Sequence, residues 1–378
     1  MADKKTHKRA DVLIVGGGIM GCASAWELAR QGLSVTVLER SVPGAEASSA
    51  AAGIIGAQAE AHVAGPMTDL SLLSRARYPR WQKALHAATG IDVGYRENGL
   101  LRVGFDKQTV DALATGIRWQ RRQKLGVERL GSRQLHALEP SLGARAIGGV
   151  HFPGDGRVDP RLLLRALHIA AQQAGAEFRT GAYVRRVLEK GGRARGVELE
   201  DGSEIPADQV VVVAGSWTTL VEGVRLRSGA VRPARGQIVE LVAPRPYVQR
   251  VVFGPRCYIV PRDDGRMLVG STLEFVGYRR EVTARAVRDL LDAAIELVPE
   301  LAEATPGGSW SNFRPYTDDE LPLLGPSGVA GLTLATGHYR TGILLAPITA
   351  EIVSAVVRGK RPPLPLEPFD PQRPGAAA

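Results

Sequence analysis

The stretch "DVLIVGGGIMGCASAWELARQGLSVTVLER", residues 11–40, decides the fold. Asp11 to Gly18 reads as a buried strand that ends in a glycine turn. Ile19, Ala23 and Trp26 then recur at helical spacing, Gly32 closes the helix as a C-cap glycine does, and residues 33–40 alternate like a second strand. The Gly16-x-Gly18-x-x-Gly21 spacing alone is a weak signal. Here it follows a strand, opens a helix and is followed by Glu39, 18 residues past Gly21, where a spacing of about 20 is expected for a ribose-binding carboxylate. Glycines let the backbone approach a pyrophosphate, a helix N-terminus offers unpaired N–H groups, and the carboxylate accepts ribose hydroxyls. This β-α-β unit predicts a dinucleotide site.

Working outward, the turn by itself leaves NAD and FAD open. After Glu39 the chain continues with "SSAAAGIIGAQAE", residues 48–60, whose small residues suit close packing against a flat ring or a diphosphate. The β-α alternation then lapses for about a hundred residues, and a nucleotide domain interrupted in this way favours FAD. A helical region is expected at about 69–88, a strand at "GLLRVGF" and a further helix around 106–124. Asp159-Pro160 opens a helix as N-cap and first helical residue. Asp-Gly turns at 201–202 and 264–265 mark two hairpins, and "DQVVVVAGSW" (208–217) reads as a central strand. Thr283 starts an amphipathic helix carrying Val287, Leu290, Leu291, Ala294 and Val298. A second glycine turn comes late, in "ATGHYRTGILLAPITAEIVSAVV" (335–357), and leads into an apolar helix presenting Leu345, Ile348, Ile352 and Val356. Pro347 is read into that helix's first turn, where its missing N–H costs nothing. "PPLPLEP" (362–368) is expected to run over the surface.

At 378 residues the chain exceeds what one hydrophobic core supports, so two domains are expected. Its 44% apolar and 23% charged residues are those of a soluble globular protein. The net charge of +9 comes from arginines interleaved with acids; the single basic cluster, "KKTHKR" at 4–9, reads as a solvated tail, and no nucleic-acid surface is expected. Cys22 and Cys257 make no disulfide framework and suit a reducing compartment, Cys22 as a buried core thiol. No signal peptide or membrane-length apolar run is visible, so a cytoplasmic protein without a membrane span is expected, and no metal site is assigned.

"GGGIMG…VLER", "SSAAAGIIGA", "GRVDPRLLLRAL", "VVVAGSW", "CYIVPRDDGRMLVGST", "NFRPYTDDELPLLG" and "GHYRTGILLAP" occur in this order between about residues 10 and 360. In this the chain resembles the D-amino-acid oxidase superfamily, most nearly its glycine oxidase branch. The resemblance implies an α/β fold in which a Rossmann-like FAD-binding domain (8–60, 145–225 and 305–360) interleaves with an antiparallel-sheet substrate domain (61–144 and 226–304), with tails at 1–7 and 361–378. It implies FAD lying extended, with adenosine at Glu39 and Arg40 and pyrophosphate over Gly16, Gly18, Ile19, Met20 and Gly21. The flavin ring would reach Ser48, Ser49, Ala51, Ala52, Gly53 and Ile54, and the turn Gly337, His338, Tyr339, Arg340, Thr341, Gly342 and Ile343, with Val184, Ala214, Gly215 and Trp217 completing the cofactor set. A helix N-terminus at the ring's pyrimidine end would stabilise negative charge there. No cysteine falls in "SNFRPYTDDELPLLG" or "GHYRTGI", so the FAD is expected to be non-covalent.

On the substrate side the resemblance gives Arg314 the carboxylate, since a guanidinium grips it bidentately, with help from the Tyr258 hydroxyl. Arg340 is assigned to positioning the cofactor first and the substrate second. Arg256 stands where the branch often carries His; its charge would draw in a dicarboxylate or point outward. His338 is read as a flavin contact or a packing residue. No acid or base is named, because a neutral amine's lone pair can expel the α-hydrogen as hydride. The implied activity is oxidative deamination of glycine, sarcosine or small D-amino acids, with dioxygen accepting the electrons and peroxide released, serving the thiazole of thiamine. A homo-oligomer is implied too. A dehydrogenase of the same fold feeding a quinone and a non-catalytic flavin-binding protein are the alternatives, the latter disfavoured by Tyr258 and Arg314.

Overall fold

Val12, Leu13 and Ile14 have no polar alternation because the strand that holds them, Ala10–Val15, is covered on both faces. The computed structural model describes residues 10–378, so the basic cluster at 4–9 lies outside the described residues. Ala10–Val15 pairs in parallel with Glu204–Val212 on one side and Val35–Glu39 on the other. Leu332–Thr336 and Glu177–Thr180 extend this parallel sheet, and Leu323–Pro326 closes one edge antiparallel. The hairpin strands Val184–Lys190 and Arg193–Leu199 run off Glu204–Val212.

Helix Ile19–Ala29 is buried nearly all round, not only at Ile19, Ala23 and Trp26. It is wedged between the sheet and helices Pro160–Gln173 and Gly342–Val357, and its run of Gly, Cys, Ala and Ser lets three backbones approach. Cys22 sits inside this core as read, and burial holds its thiol well above the ordinary range. Asp159 caps its helix, Oδ1 accepting from Arg161 N at 2.9 Å and from Leu162 N at 3.3 Å. Thr283 does the same for Ala284–Leu297, whose apolar face covers the second sheet.

That second sheet runs Thr305–Tyr316, Arg232–Val242, Arg266–Gly270, Tyr258–Pro261, Val251–Phe253, Leu100–Gly104, Gly148–Phe152, Glu128–Gly131. All neighbours are antiparallel except Val251–Phe253 and Leu100–Gly104. It therefore takes in Gly148–Phe152 and Thr305–Tyr316, two segments the sequence reading gave to the nucleotide domain. The regions read as single helices are each broken, into Pro66–Arg75 and Tyr78–Thr89, and into Lys107–Gly116 and Arg118–Arg122.

Two C-terminal expectations need correction. Pro347 is not in the first turn of Gly342–Val357 but inside the helix. Its ring denies the Ile343 carbonyl its helical donor, and the Tyr78 hydroxyl donates there instead. One residue on, Ser74 Oγ donates to Leu344 O at 2.7 Å and accepts from Ile348 N at 3.4 Å. The segment after Pro363 does not merely skirt the surface either: Phe369 is fully buried, Leu364 and Leu366 pack on the core, and Arg373 pairs with Asp319 at 2.7 Å.

Candidate active site

The glycine turn forms as the spacing requires. Gly16 has a positive φ of 111°, and a Cβ on Gly21 would stand 1.9 Å from the Gly16 carbonyl oxygen, so only glycine lets the helix start this close to the strand. Glu39 is buried at the turn, its Oε2 accepting from Gly17 N at 2.7 Å and its Oε1 from Ser41 N at 2.9 Å. Ser48 Oγ accepts from Ile19 N at 2.9 Å, tying the small-residue segment to the start of the first helix. Arg262, from the hairpin of the second sheet, donates to Ala52 O at 2.6 Å and fixes that segment from the other side.

These parts open into one cavity of about 440 Å³, which runs from Gly16 and Glu39 to Tyr258 and Arg314. Of the residues read as cofactor contacts, Gly16, Gly18, Ile19, Met20, Glu39, Arg40, Ser48, Ala51, Ala52, Gly53, Ile54, Val184, Ala214, Gly215, Trp217, His338, Tyr339, Arg340, Gly342 and Ile343 line it. Gly21, Ser49, Gly337 and Thr341 do not. Gly21 makes the turn tight, as described. The Ser49 carbonyl accepts from Arg161 Nε at 3.3 Å, outside the cavity wall. Gly337 supplies a positive φ, and Thr341 folds back to the His338 carbonyl through its N–H and its hydroxyl, both at 2.9 Å. These four build the wall from behind.

The residues present fit an extended FAD. The Gly16–Gly21 turn leaves backbone where side chains would fill a diphosphate's place, two helix N-termini face the cavity, and the buried Tyr339 hydroxyl has no hydrogen-bond partner among the described residues. Tyr339 is itself held at a positive φ of 46°, a costly conformation for a residue with a Cβ. His338 packs rather than projects: it is buried, Nε2 lies 3.1 Å from Thr349 Oγ1, and desolvation lowers its pKa to about 3, so the ring is neutral.

Arg314 and Tyr258 stand on two strands of the second sheet, Thr305–Tyr316 and Tyr258–Pro261, separated by Arg232–Val242 and Arg266–Gly270. Arg314 Nη2 donates to Ser271 Oγ at 2.6 Å and Nη1 to Thr272 O at 3.1 Å, which aims the guanidinium. Gly236, on the neighbouring strand, makes room for it: a Cβ there would lie 2.3 Å from Arg314 Nη2. Gly270 stands opposite Tyr258 in the ladder, and a Cβ there would lie 2.3 Å from the Tyr258 hydroxyl oxygen. Burial raises the pKa of the phenol, which stays protonated. Tyr339 N donates to Pro315 O at 3.0 Å, so one backbone bond joins the late glycine turn to the residue after Arg314. Arg340 lies over the Tyr339 ring at 4.9 Å. Arg256 reaches only the rim, half-exposed, with its guanidinium on Glu296 at 2.6 Å.

Sequence reading did not assign Ser271, Thr272, Gly236, Gly270 or Glu60 to the site. Glu60 lines the cavity, and burial raises its carboxyl to about 7 against the pull of Arg340. The segment "EAHVAGP", residues 60–66, was read as part of the active-site entrance with Glu60 as its one charge, but the carboxylate was given no role. On the outer side Glu46 holds Arg40 and Arg280, the latter with two contacts at 2.7 Å. Burial works to raise the Glu46 carboxyl, and the two guanidinium groups outweigh it.

Residues 11–356 match the family described as FAD dependent oxidoreductase. The chain is 40% identical over 371 residues to the bifunctional protein ThiO/ThiG of Synechocystis sp., covering 96% of this chain and 54% of that protein. It thus spans about half the length of that relative. It is 38% identical over 369 residues to the glycine oxidase of Geobacillus kaustophilus, covering 96% of this chain and 97% of the relative. The crystal structure of glycine oxidase from Geobacillus kaustophilus superimposes with a TM-score of 0.91 at 36% identity, covering 97% and 99% of the two chains.

Proposed function

This chain belongs to the FAD dependent oxidoreductase family, and on that premise we propose that it oxidises the C–N bond of glycine, sarcosine or a small D-amino acid. The observation that carries the reading is the joining of the Arg314–Tyr258 clamp to the late glycine turn through the Tyr339–Pro315 hydrogen bond. A carboxylate held on Arg314, with the phenol of Tyr258 as second donor, places the adjacent α-carbon beside that turn. The glycine turn, Glu39, Ser48 and the turn 337–343 would hold FAD without a covalent link, and the bound cofactor would supply the hydride acceptor. The chain's own residues hold and orient: fixing the α-hydrogen within near-attack distance supplies much of the acceleration in such a reaction. The imine product hydrolyses to the 2-oxo acid. Dioxygen is the proposed electron acceptor, and the similarity to ThiO/ThiG supports a place in thiamine biosynthesis.

The test is an anaerobic mix of the yellow protein with glycine, sarcosine, D-alanine and D-aspartate, followed by air. Bleaching of the flavin by glycine or sarcosine and recovery with peroxide is the expected result. Bleaching without recovery in air would replace the oxidase by a dehydrogenase. A flavin that none of the four bleaches defeats the reading.

A further inference from the structure

Glu60 carries an inference that rests on the amine-oxidising reading and deepens it. Its side chain lies against Gly56, where a Cβ would be 3.3 Å from Oε1, and projects into the cavity that Tyr258, Arg314 and Arg340 also line. No hydrogen bond or ion pair joins the carboxylate to another described residue. Its backbone is nonetheless firmly set. Asp155, fully buried, accepts from Gln58 N at 3.1 Å and Ala59 N at 2.8 Å, and is itself held by Arg75 at 2.6 Å. Arg102 adds a donor to Ala59 O at 3.3 Å. This segment thus presents a carboxylate, with no hydrogen-bond partner among the described residues, into the same cavity that Arg314 and Tyr258 line. An α-amino acid bound to that clamp brings the complementary group, an ammonium.

We infer that Glu60 receives the substrate's ammonium and takes one proton from it before oxidation. An N–H bond breaks with its electron pair staying on nitrogen, and an O–H bond forms on Glu60. The neutral amine then loses its α-hydrogen with two electrons to the bound FAD, leaving the iminium, so charge and electrons balance. The groups that act on Glu60 are Arg340 from the late turn, Arg102 from strand Leu100–Gly104, Arg314 from strand Thr305–Tyr316, and Asp155 and Tyr258; His62, two residues on, lines a separate cavity. Burial outweighs the three cations and leaves the carboxyl able to trade a proton near neutrality.

Two readouts test this on the holoenzyme. The first needs no turnover: acetate, a carboxylate without an amine, is titrated by the change in flavin absorbance from pH 5 to 9. Its affinity is expected to fall as pH rises through about 7, because ionised Glu60 repels it, and to be flat in Glu60→Gln. The second is the limiting rate of anaerobic flavin reduction by glycine. In the wild type it should rise with pH through about 7. In Glu60→Gln the rise should move to the alkaline ionisation of the free amine, with a rate at neutral pH lower by about a hundredfold that converges on wild type at high pH. Glu60→Asp, which keeps a carboxylate on a shorter arm, should retain the neutral-range rise at reduced rate. An unchanged rate profile in Glu60→Gln, or an acetate affinity with the wild-type pH dependence, overturns the assignment. A wild-type flavin that no amine reduces defeats the amine-oxidising reading instead, and the acetate titration still decides whether Glu60 faces the clamp.

Discussion

Gly270 faces Tyr258 across the strand ladder, and a methyl group on it would press on the phenol ring. Gly270→Ala and Gly236→Ala should therefore displace one arm of the clamp each without touching a ligand. Both are expected to weaken acetate binding by about tenfold or more, as lost charge-assisted hydrogen bonds do, and absorbance titration would show it. Arg314→Met removes the guanidinium arm and should lower kcat/KM by about 10- to 150-fold, on the roughly 1.5–3 kcal/mol of a hydrogen bond to a charged group. His338 makes a different prediction. Its folded pKa is depressed to about 3 from 6.5, so the unfolded chain binds the extra proton and stability is lost as pH falls below 6.5. The loss is at most about 1.4 kcal/mol per pH unit, and thermal melts from pH 7 to 4 should be flatter for His338→Gln than for wild type. Arg314 and Tyr258, both of which line the cavity, were named because they sit in recognisable segments. The glycines beneath them were not, since a glycine in a strand reads locally as a weak point.

At the scale of the element, the helix Gly342–Val357 carries a proline in its body and remains one helix. The reason lies outside it, in Tyr78 and Ser74 of the two helices that pack across its first turns. Tyr78→Phe keeps the ring and strands the buried Ile343 carbonyl, at an expected cost of about 1–3 kcal/mol. Adding Pro347→Ala returns an N–H to that carbonyl, so in urea denaturation the double variant should recover part of the loss; strict additivity of the two changes would refute this account. Caps and Asp-Gly hairpins were legible because each is closed by residues within a few positions of one another. The breaks at 76–77 and 117 escaped notice because the apolar spacing continues across them.

Across the whole molecule, the nucleotide sheet and the substrate sheet are clasped over the cavity by the segment after Gly270. Tyr278 donates to Ser216 O at 2.6 Å and stacks on Trp217 at 5.5 Å, while Arg280 grips Glu46. Arg40 lies over the Trp217 ring itself at 4.0 Å. Arg280→Ala should raise the dissociation constant for FAD by up to about fivefold, the range of a partly exposed ion pair, with the difference shrinking in high salt; equilibrium dialysis at two ionic strengths measures both. No described helix is long and apolar enough to cross a membrane. The sequence by itself determined the dinucleotide unit, its glycine turn and Glu39, because a β-α-β unit closes its own contacts within thirty residues and backbone geometry dictates the residue at each point. Only the tertiary structure decided which sheet Gly148–Phe152 and Thr305–Tyr316 join, and that Glu60 lines the same cavity as Arg314. A strand's own pattern is the same whichever neighbour it pairs with, and a carboxylate's chemistry is set by what the rest of the chain buries around it.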